Sequence, residues 1–172
     1  MYSGNSIQGW MTDEELNWLY ETASTMDSIV EIGCWKGKST HALASGCKGV
    51  VFAVDHFKGS PNERNYAHAE AKEKDIFKEY WRDLIKFPNL VVLRMNSHKA
   101  STFFRQNSID MVFIDGSHLY EDFLIDFLNW KPICKKIICG HDRDIEDIRK
   151  VFDRLEINPN PEVGTIWSFN LQ

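Results

Sequence analysis

No apolar run in this chain approaches the roughly 20 residues that a bilayer crossing needs. The longest, Gly49 to Val54 and Met111 to Ile114, suffice only for single strands. Met1 to Trp10 lacks the basic and apolar regions of a signal peptide, so a cytoplasmic protein with no membrane partner is the expectation. None of the four cysteines (Cys34, Cys47, Cys134, Cys139) belongs to a CxxC pair, and they read as reduced thiols acting as small apolar side chains. No basic cluster offsets the formal net charge of -5. That argues against a nucleic-acid partner, because phosphate neutralisation supplies most of such binding. Internal repeats and low-complexity stretches are also missing.

What is present is an ordinary globular composition, 43% hydrophobic and 26% charged over 172 residues, enough for a sizeable core. A single domain spanning 1–172 is expected. Strand-like and helix-like segments alternate throughout, which favours an α/β fold of the Rossmann-like, doubly wound type with a mostly parallel sheet. Thr12 to Ser24 reads as a helix with Thr12 as N-cap and Glu15 as its capping-box partner. Strands are expected at Ser28 to Ile32, Gly49 to Val54, Leu90 to Arg94, Ile109 to Ile114 and Lys136 to Cys139. Between them lie helices at Gly37 to Ser45, Glu63 to Lys86 (one or two), Ser97 to Gln106 and Leu119 to Trp130. Ile145 to Leu155 marks a last amphipathic helix. Thr165 to Leu171 alternates well enough for a closing strand, whereas Asn158-Pro159-Asn160-Pro161 leaves little room for one before it. The sheet is therefore expected to be trimmed at its last strands.

In doubly wound sheets ligands bind beyond the carboxyl ends of the strands, so the residues after each strand carry most of the functional information. The first such turn, Glu31-Ile32-Gly33-Cys34-Trp35-Lys36-Gly37-Lys38-Ser39, places two glycines where backbone N–H groups and a helix N-terminus can approach a ligand. A dinucleotide fingerprint would need a second glycine where the bulky Trp35 stands. A phosphate-binding loop, GxxxxGK[ST], is approached by Gly33-x-x-x-Gly37-Lys38-Ser39, which is one residue short of it. A turn with no ligand is the plainest alternative. Val50 to Asp55 ends the second strand in a carboxylate about twenty residues past the turn, where an acid can accept the ribose hydroxyls of an adenosine. A phosphate-loop protein has no need of an acid there.

Ile109-Asp110-Met111-Val112-Phe113-Ile114-Asp115-Gly116-Ser117-His118 is a second informative block, an apolar strand ending in a carboxylate and, three residues on, a histidine. The fifth strand ends similarly in Gly140-His141-Asp142. Both ends would open onto one crevice. His118 suits general-base work near neutral pH. A histidine that merely caps the following helix is the alternative.

The turn pattern, acidic-x-Gly-x-x-x-Gly-x-Ser, resembles the first motif of class I S-adenosylmethionine (SAM) dependent methyltransferases. The "FIDGSHxYE … HD" blocks resemble small bacterial members related to cephalosporin-type, macrolide-sugar and catechol O-methyltransferases. The resemblance runs from about Ile29 to Trp167. It implies SAM as cofactor, held by Glu31, Gly33, Trp35, Gly37, Ser39, Asp55, His56, Asn96, Ser97 and Asp115. It further implies a small hydroxylated metabolite or sugar as acceptor, with His118 as its base. Mg²⁺ or another divalent cation is implied at Asp115, His141 and Asp142, although an imidazole at His141 suits Zn²⁺, Mn²⁺ or Fe²⁺ better than hard Mg²⁺. A phosphate-loop nucleotide-binding protein and a non-catalytic SAM- or nucleoside-binding module remain as alternatives. Oligomeric state is left open, with a homo-oligomer admitted.

Overall fold

The computed structural model describes residues 2, 4, 6–60 and 66–171. Thr12 caps α1 (Asp13–Ala23): its hydroxyl accepts from the Glu15 N–H while the Glu15 carboxylate accepts from the Thr12 N–H, the reciprocal arrangement the sequence implied. β1 (Ser28–Ile32), α2 (Lys38–Gly46) and β2 (Val50–Val54) follow. The charged stretch divides into α3 (Tyr66–Glu73) and α4 (Ile76–Leu84), with Asp75 capping the second. Glu63, where this stretch was expected to begin, lies outside the described residues.

β3 (Leu90–Leu93) leads into α5 (Ser97–Ser101), shorter than expected because Thr102 to Gln106 leaves helical geometry after one C-cap turn. β4 (Ile109–Ile114), α6 (Tyr120–Trp130), β5 (Cys134–Gly140) and α7 (Glu146–Arg154) complete the alternation. The end of the chain corrects the expectation. Asn160–Pro161 forms a two-residue β6 paired antiparallel with β7 (Trp167–Asn170). Proline is tolerated there because β6 is an edge strand, whose outward side needs no N–H donor.

The sheet therefore has seven strands, in the order β3-β2-β1-β4-β5-β7-β6. β1 pairs in parallel with both β2 and β4, so the winding reverses beside β1. A reversal of this kind opens a crevice above the carboxyl ends of β1 and β4, the place where open α/β sheets take ligands. One face of the sheet packs against Phe123, Phe127, Trp130 and Phe152, joined by the fully buried Trp167 of β7. The other packs against Leu16, Leu19 and Leu43 of α1 and α2. All four cysteines are free and buried, as their apolar surroundings suggested. No helix among the described residues is long and apolar enough to cross a membrane.

Candidate active site

The turn after β1 is held from both sides. Gly33 donates to the Val54 carbonyl at 3.0 Å, and the Asp115 N–H donates to Ile32 at 2.8 Å. Gly33 adopts φ +84, and a Cβ there would collide with the backbone of Asp115 and Gly116, so only glycine fits. Two residues later Trp35 takes φ +48, a left-handed conformation that is costly for a bulky side chain. Asp55 supplies the compensation. Its Oδ2 accepts from the Cys34 and Trp35 N–H groups, both at 2.9 Å, and its Oδ1 from Phe57 N–H at 2.6 Å.

A cavity of about 1010 Å³ opens above this turn. Gly33, Trp35, Ser39, Asp55, His56, Asn96, Ser97, Asp115, His118, His141 and Asp142 all line it, so the blocks singled out in the sequence do converge. Glu31 and Gly37 do not line it. Glu31 is fully buried and turned away beneath the turn, accepting from Ser39 Oγ and Thr40 Oγ1, each at 2.5 Å. Burial lifts its carboxyl to about 7 against the opposing pull of those two hydroxyls. Gly37, at φ +92, is the N-cap of α2 and packs under Tyr80 and Leu84.

At the other end of the cavity four ionisable groups meet. His118 Nε2 lies 2.9 Å from Asp142 Oδ2 and 3.9 Å from Asp115 Oδ1. Asp115, His118 and Asp142 can each present a ligand atom within 4.8 Å of the others, a spacing suited to one metal ion. His141, which the resemblance placed in that set, is oriented differently. Its Nε2 lies 3.2 Å from Glu15 Oε1, and its Nδ1 lies 3.2 Å from Asp142 Oδ2 and 3.7 Å from Asp115 Oδ1. Carboxylates thus face both ring nitrogens. Burial alone would depress this imidazole, but the Asp142 hydrogen bond and the charges of Asp115, Asp142 and Glu15 outweigh it and lift the group to about 9. Burial likewise pushes Asp142 up, and His118 and His141 together hold it well below the usual carboxylate range.

Several cavity residues escaped the sequence reading. Gln8, Gly9, Trp10 and Met11, ahead of α1, form part of the wall, and the Trp10 and Trp35 rings lie 5.9 Å apart. Lys36 is buried inside the glycine turn, with Nζ 2.7 Å from Gln8 Oε1, 2.6 Å from Glu70 Oε1 and 3.1 Å from Glu79 Oε2. It joins the turn to that segment and to α3 and α4. Lys38, the residue a phosphate loop would aim at its ligand, has Nζ 3.4 Å from the Gly9 carbonyl. Asp126 of α6 also lines the cavity. An acid at the i+3 position between Phe123 and Trp130, in an otherwise apolar helical stripe, is a signal that could have found it.

Known proteins share this fold. The fold is similar to an O-methyltransferase from Bacillus cereus solved in complex with SAH, with a TM-score of 0.64 at 17% identity over 95% of this chain and 83% of that one. It is also similar to the O-methyltransferase NovP, with a TM-score of 0.68 at 14% identity over 91% and 78%. In sequence it is 28% identical over 129 residues to an uncharacterized protein, y4gI, of Sinorhizobium fredii. That match takes in 69% of this chain, which spans only 13% of the length of that relative. Residues 30–142, from β1 to the His141-Asp142 turn, match the family described as "Methyltransferase domain". That span holds the glycine turn, Asp55 and the whole ionisable end of the cavity, and the chain belongs to this methyltransferase family.

Proposed function

We propose that this chain binds SAM in the cavity and transfers its methyl group to a hydroxyl of a small metabolite or sugar. One observation carries the reading: the glycine turn buttressed by Asp55 and the cluster of Asp115, His118 and Asp142 face a single cavity. Its volume of about 1010 Å³ lies at the upper end of the roughly 300–1,000 Å³ of small-molecule sites, room for a nucleoside cofactor together with a second molecule. Adenosine takes the side of Asp55, His56, Asn96 and Ser97, with the ribose hydroxyls toward the Asp55 carboxylate. The methionine part lies over Gly33 and Asp115, and Trp35 and Ser39 line the space beside it.

Methyl transfer is an in-line displacement at a carbon already activated by the sulfonium, so the protein chiefly positions the reactants and removes the hydroxyl proton. His118 accepts that proton, and the positive charge that develops on its ring is met by Asp142 at 2.9 Å. His141, held between Glu15 and Asp142, keeps the Asp142 carboxylate in place.

A second reading is favoured by the spacing of Asp115, His118 and Asp142. Two carboxylates and an imidazole suit Mn²⁺, Zn²⁺ or Fe²⁺ better than Mg²⁺. These three residues would hold the ion, which would polarise the acceptor oxygen as a Lewis acid. His118 would then be a ligand rather than the base.

Calorimetric titration with S-adenosylhomocysteine, followed by transfer of a labelled methyl group from SAM to a panel of small hydroxylated compounds, tests the proposal. Binding that falls at least about tenfold in Asp55→Ala is expected, since a lost hydrogen bond to a charged group is worth that much. Failure of wild type to bind either cofactor form would overturn it, and affinity for ATP instead would favour a phosphate loop. Cofactor binding without transfer to any compound would point to a non-catalytic module. Titration with Mn²⁺ separates the two readings of His118: metal uptake lost in His118→Ala assigns it as a ligand.

A further inference from the structure

At the adenosine end of the cavity stands an acid to which the proposed chemistry gives no part. Asp126 is only 6% exposed and shares the inward stripe of α6 with Phe123, Phe127 and Trp130, which pack into the core. Ser97 Oγ donates to its Oδ1. Its Oδ2 has no hydrogen-bond partner among the described residues, yet that oxygen is not sealed in protein, and the residue lines the cavity. No lysine, arginine or histidine among the described residues comes within ion-pair distance of it. Burial raises its carboxyl to about 6, with the Ser97 hydrogen bond opposing, the charge of Asp122 adding to the rise and that of His98 working against it. The group is thus largely desolvated and served by a single hydroxyl donor. A buried carboxylate in that condition is short of hydrogen bonds, and burying it is costly unless a ligand completes the set.

The cofactor reading limits what that ligand group can be. An S-adenosyl cofactor carries hydrogen-bond donors in three places: the amino-acid ammonium, the two ribose hydroxyls and the exocyclic 6-amino group of the base. The ammonium belongs with the methionine part over Gly33, and the ribose hydroxyls with Asp55. The 6-amino group is the donor left over, and Ser97, which holds Asp126, sits beside Asn96 at the end of β3 on the adenosine side. We infer that Asp126 accepts a hydrogen bond from the 6-amino group of adenine and so sets the base specificity of the site. The inference rests on the SAM reading above.

The test compares S-adenosylhomocysteine with its 6-deamino analogue, in which that carbon bears hydrogen. Both compounds are titrated calorimetrically into wild type, Asp126→Asn and Asp126→Ala, with circular dichroism confirming that each variant is folded. Wild type prefers the amino compound by at least about tenfold, the usual worth of a hydrogen bond to a charged acceptor, and in Asp126→Ala the preference shrinks to within about twofold. Asp126→Asn, a neutral acceptor of the same size, falls between them. Equal affinity of wild type for the two compounds overturns the inference and leaves the cofactor reading intact. A variant that weakens both compounds by the same factor also overturns it, because loss of the Ser97 contact alone would do just that. If wild type binds neither compound, the cofactor reading fails and this inference with it. Should both variants fail to fold, the wild-type ratio decides alone.

Discussion

The indole N–H of Trp167 donates to the backbone carbonyl of His141 at 3.0 Å, tying the antiparallel strand β7 to the chemical end of the cavity. The ring is fully buried, edge-on to Phe123 at 5.7 Å and to Phe152 at 5.1 Å. Gly140, one residue earlier, has no room for a side chain because the same indole fills the space. Trp167→Phe keeps most of the apolar contact but leaves the His141 carbonyl buried and unpaired, which costs about 1–3 kcal/mol. Urea unfolding should register that loss. Methyl transfer should fall further than S-adenosylhomocysteine binding does, since the perturbed turn carries Asp142 rather than the adenosine contacts. Equal losses in both would refute this assignment.

Substitutions at the two turn glycines should differ in cost. A Cβ at Gly33 meets fixed backbone of Asp115, whereas one at Gly37 meets the tip of Leu84, which can shift. Both positions have positive φ, a strain of about 1 kcal/mol for alanine. Gly33→Ala should therefore lower the melting temperature more than Gly37→Ala and also abolish cofactor binding. Thermal melts of the pair, with and without S-adenosylhomocysteine, decide it.

The buried Glu31 makes stability depend on pH in a definite direction. Its carboxyl is raised from 4.5 in the unfolded chain to about 7 in the fold. The native state therefore binds more protons than the unfolded state between those values, and stability falls as pH rises through that window. The full effect is on the order of 3 kcal/mol. Glu31→Gln removes the titrating group, so the stability difference between wild type and variant should move against wild type from pH 4.5 to pH 7 and stay level above. Urea midpoints measured across that range check it. A constant difference would mean that the Ser39 and Thr40 hydroxyls keep the carboxylate at its ordinary value.

How much of the site could be read from the chain depended on backbone position. Gly33, Asp55, Asp115 and Asp142 are legible because strand ends in a doubly wound sheet must face the crevice, whatever their side chains do. Glu31 was misplaced because β1 is buried on both faces, and alternation cannot say which side an acid takes. Its orientation is set by Ser39 and Thr40, eight and nine residues on. The roles of His118 and His141 could not be separated for a similar reason: the difference lies in Glu15, 126 residues before His141, which the capping box had already accounted for. Local pattern found the Thr12–Glu15 pair, and only tertiary packing shows that the same carboxylate has a second duty. β6 was missed because two residues beside a proline carry no periodicity.

The tie between Trp167 and His141 also bears on how the molecule is made. Adenosine-side residues, Asp126 included, have all emerged from the ribosome once α6 has, but the carbonyl that β7 secures waits for a segment 26 residues further along. A nascent chain halted before β7 would hold the His141–Asp142 turn without its indole donor, so that turn is the last part of the cavity to be secured during synthesis.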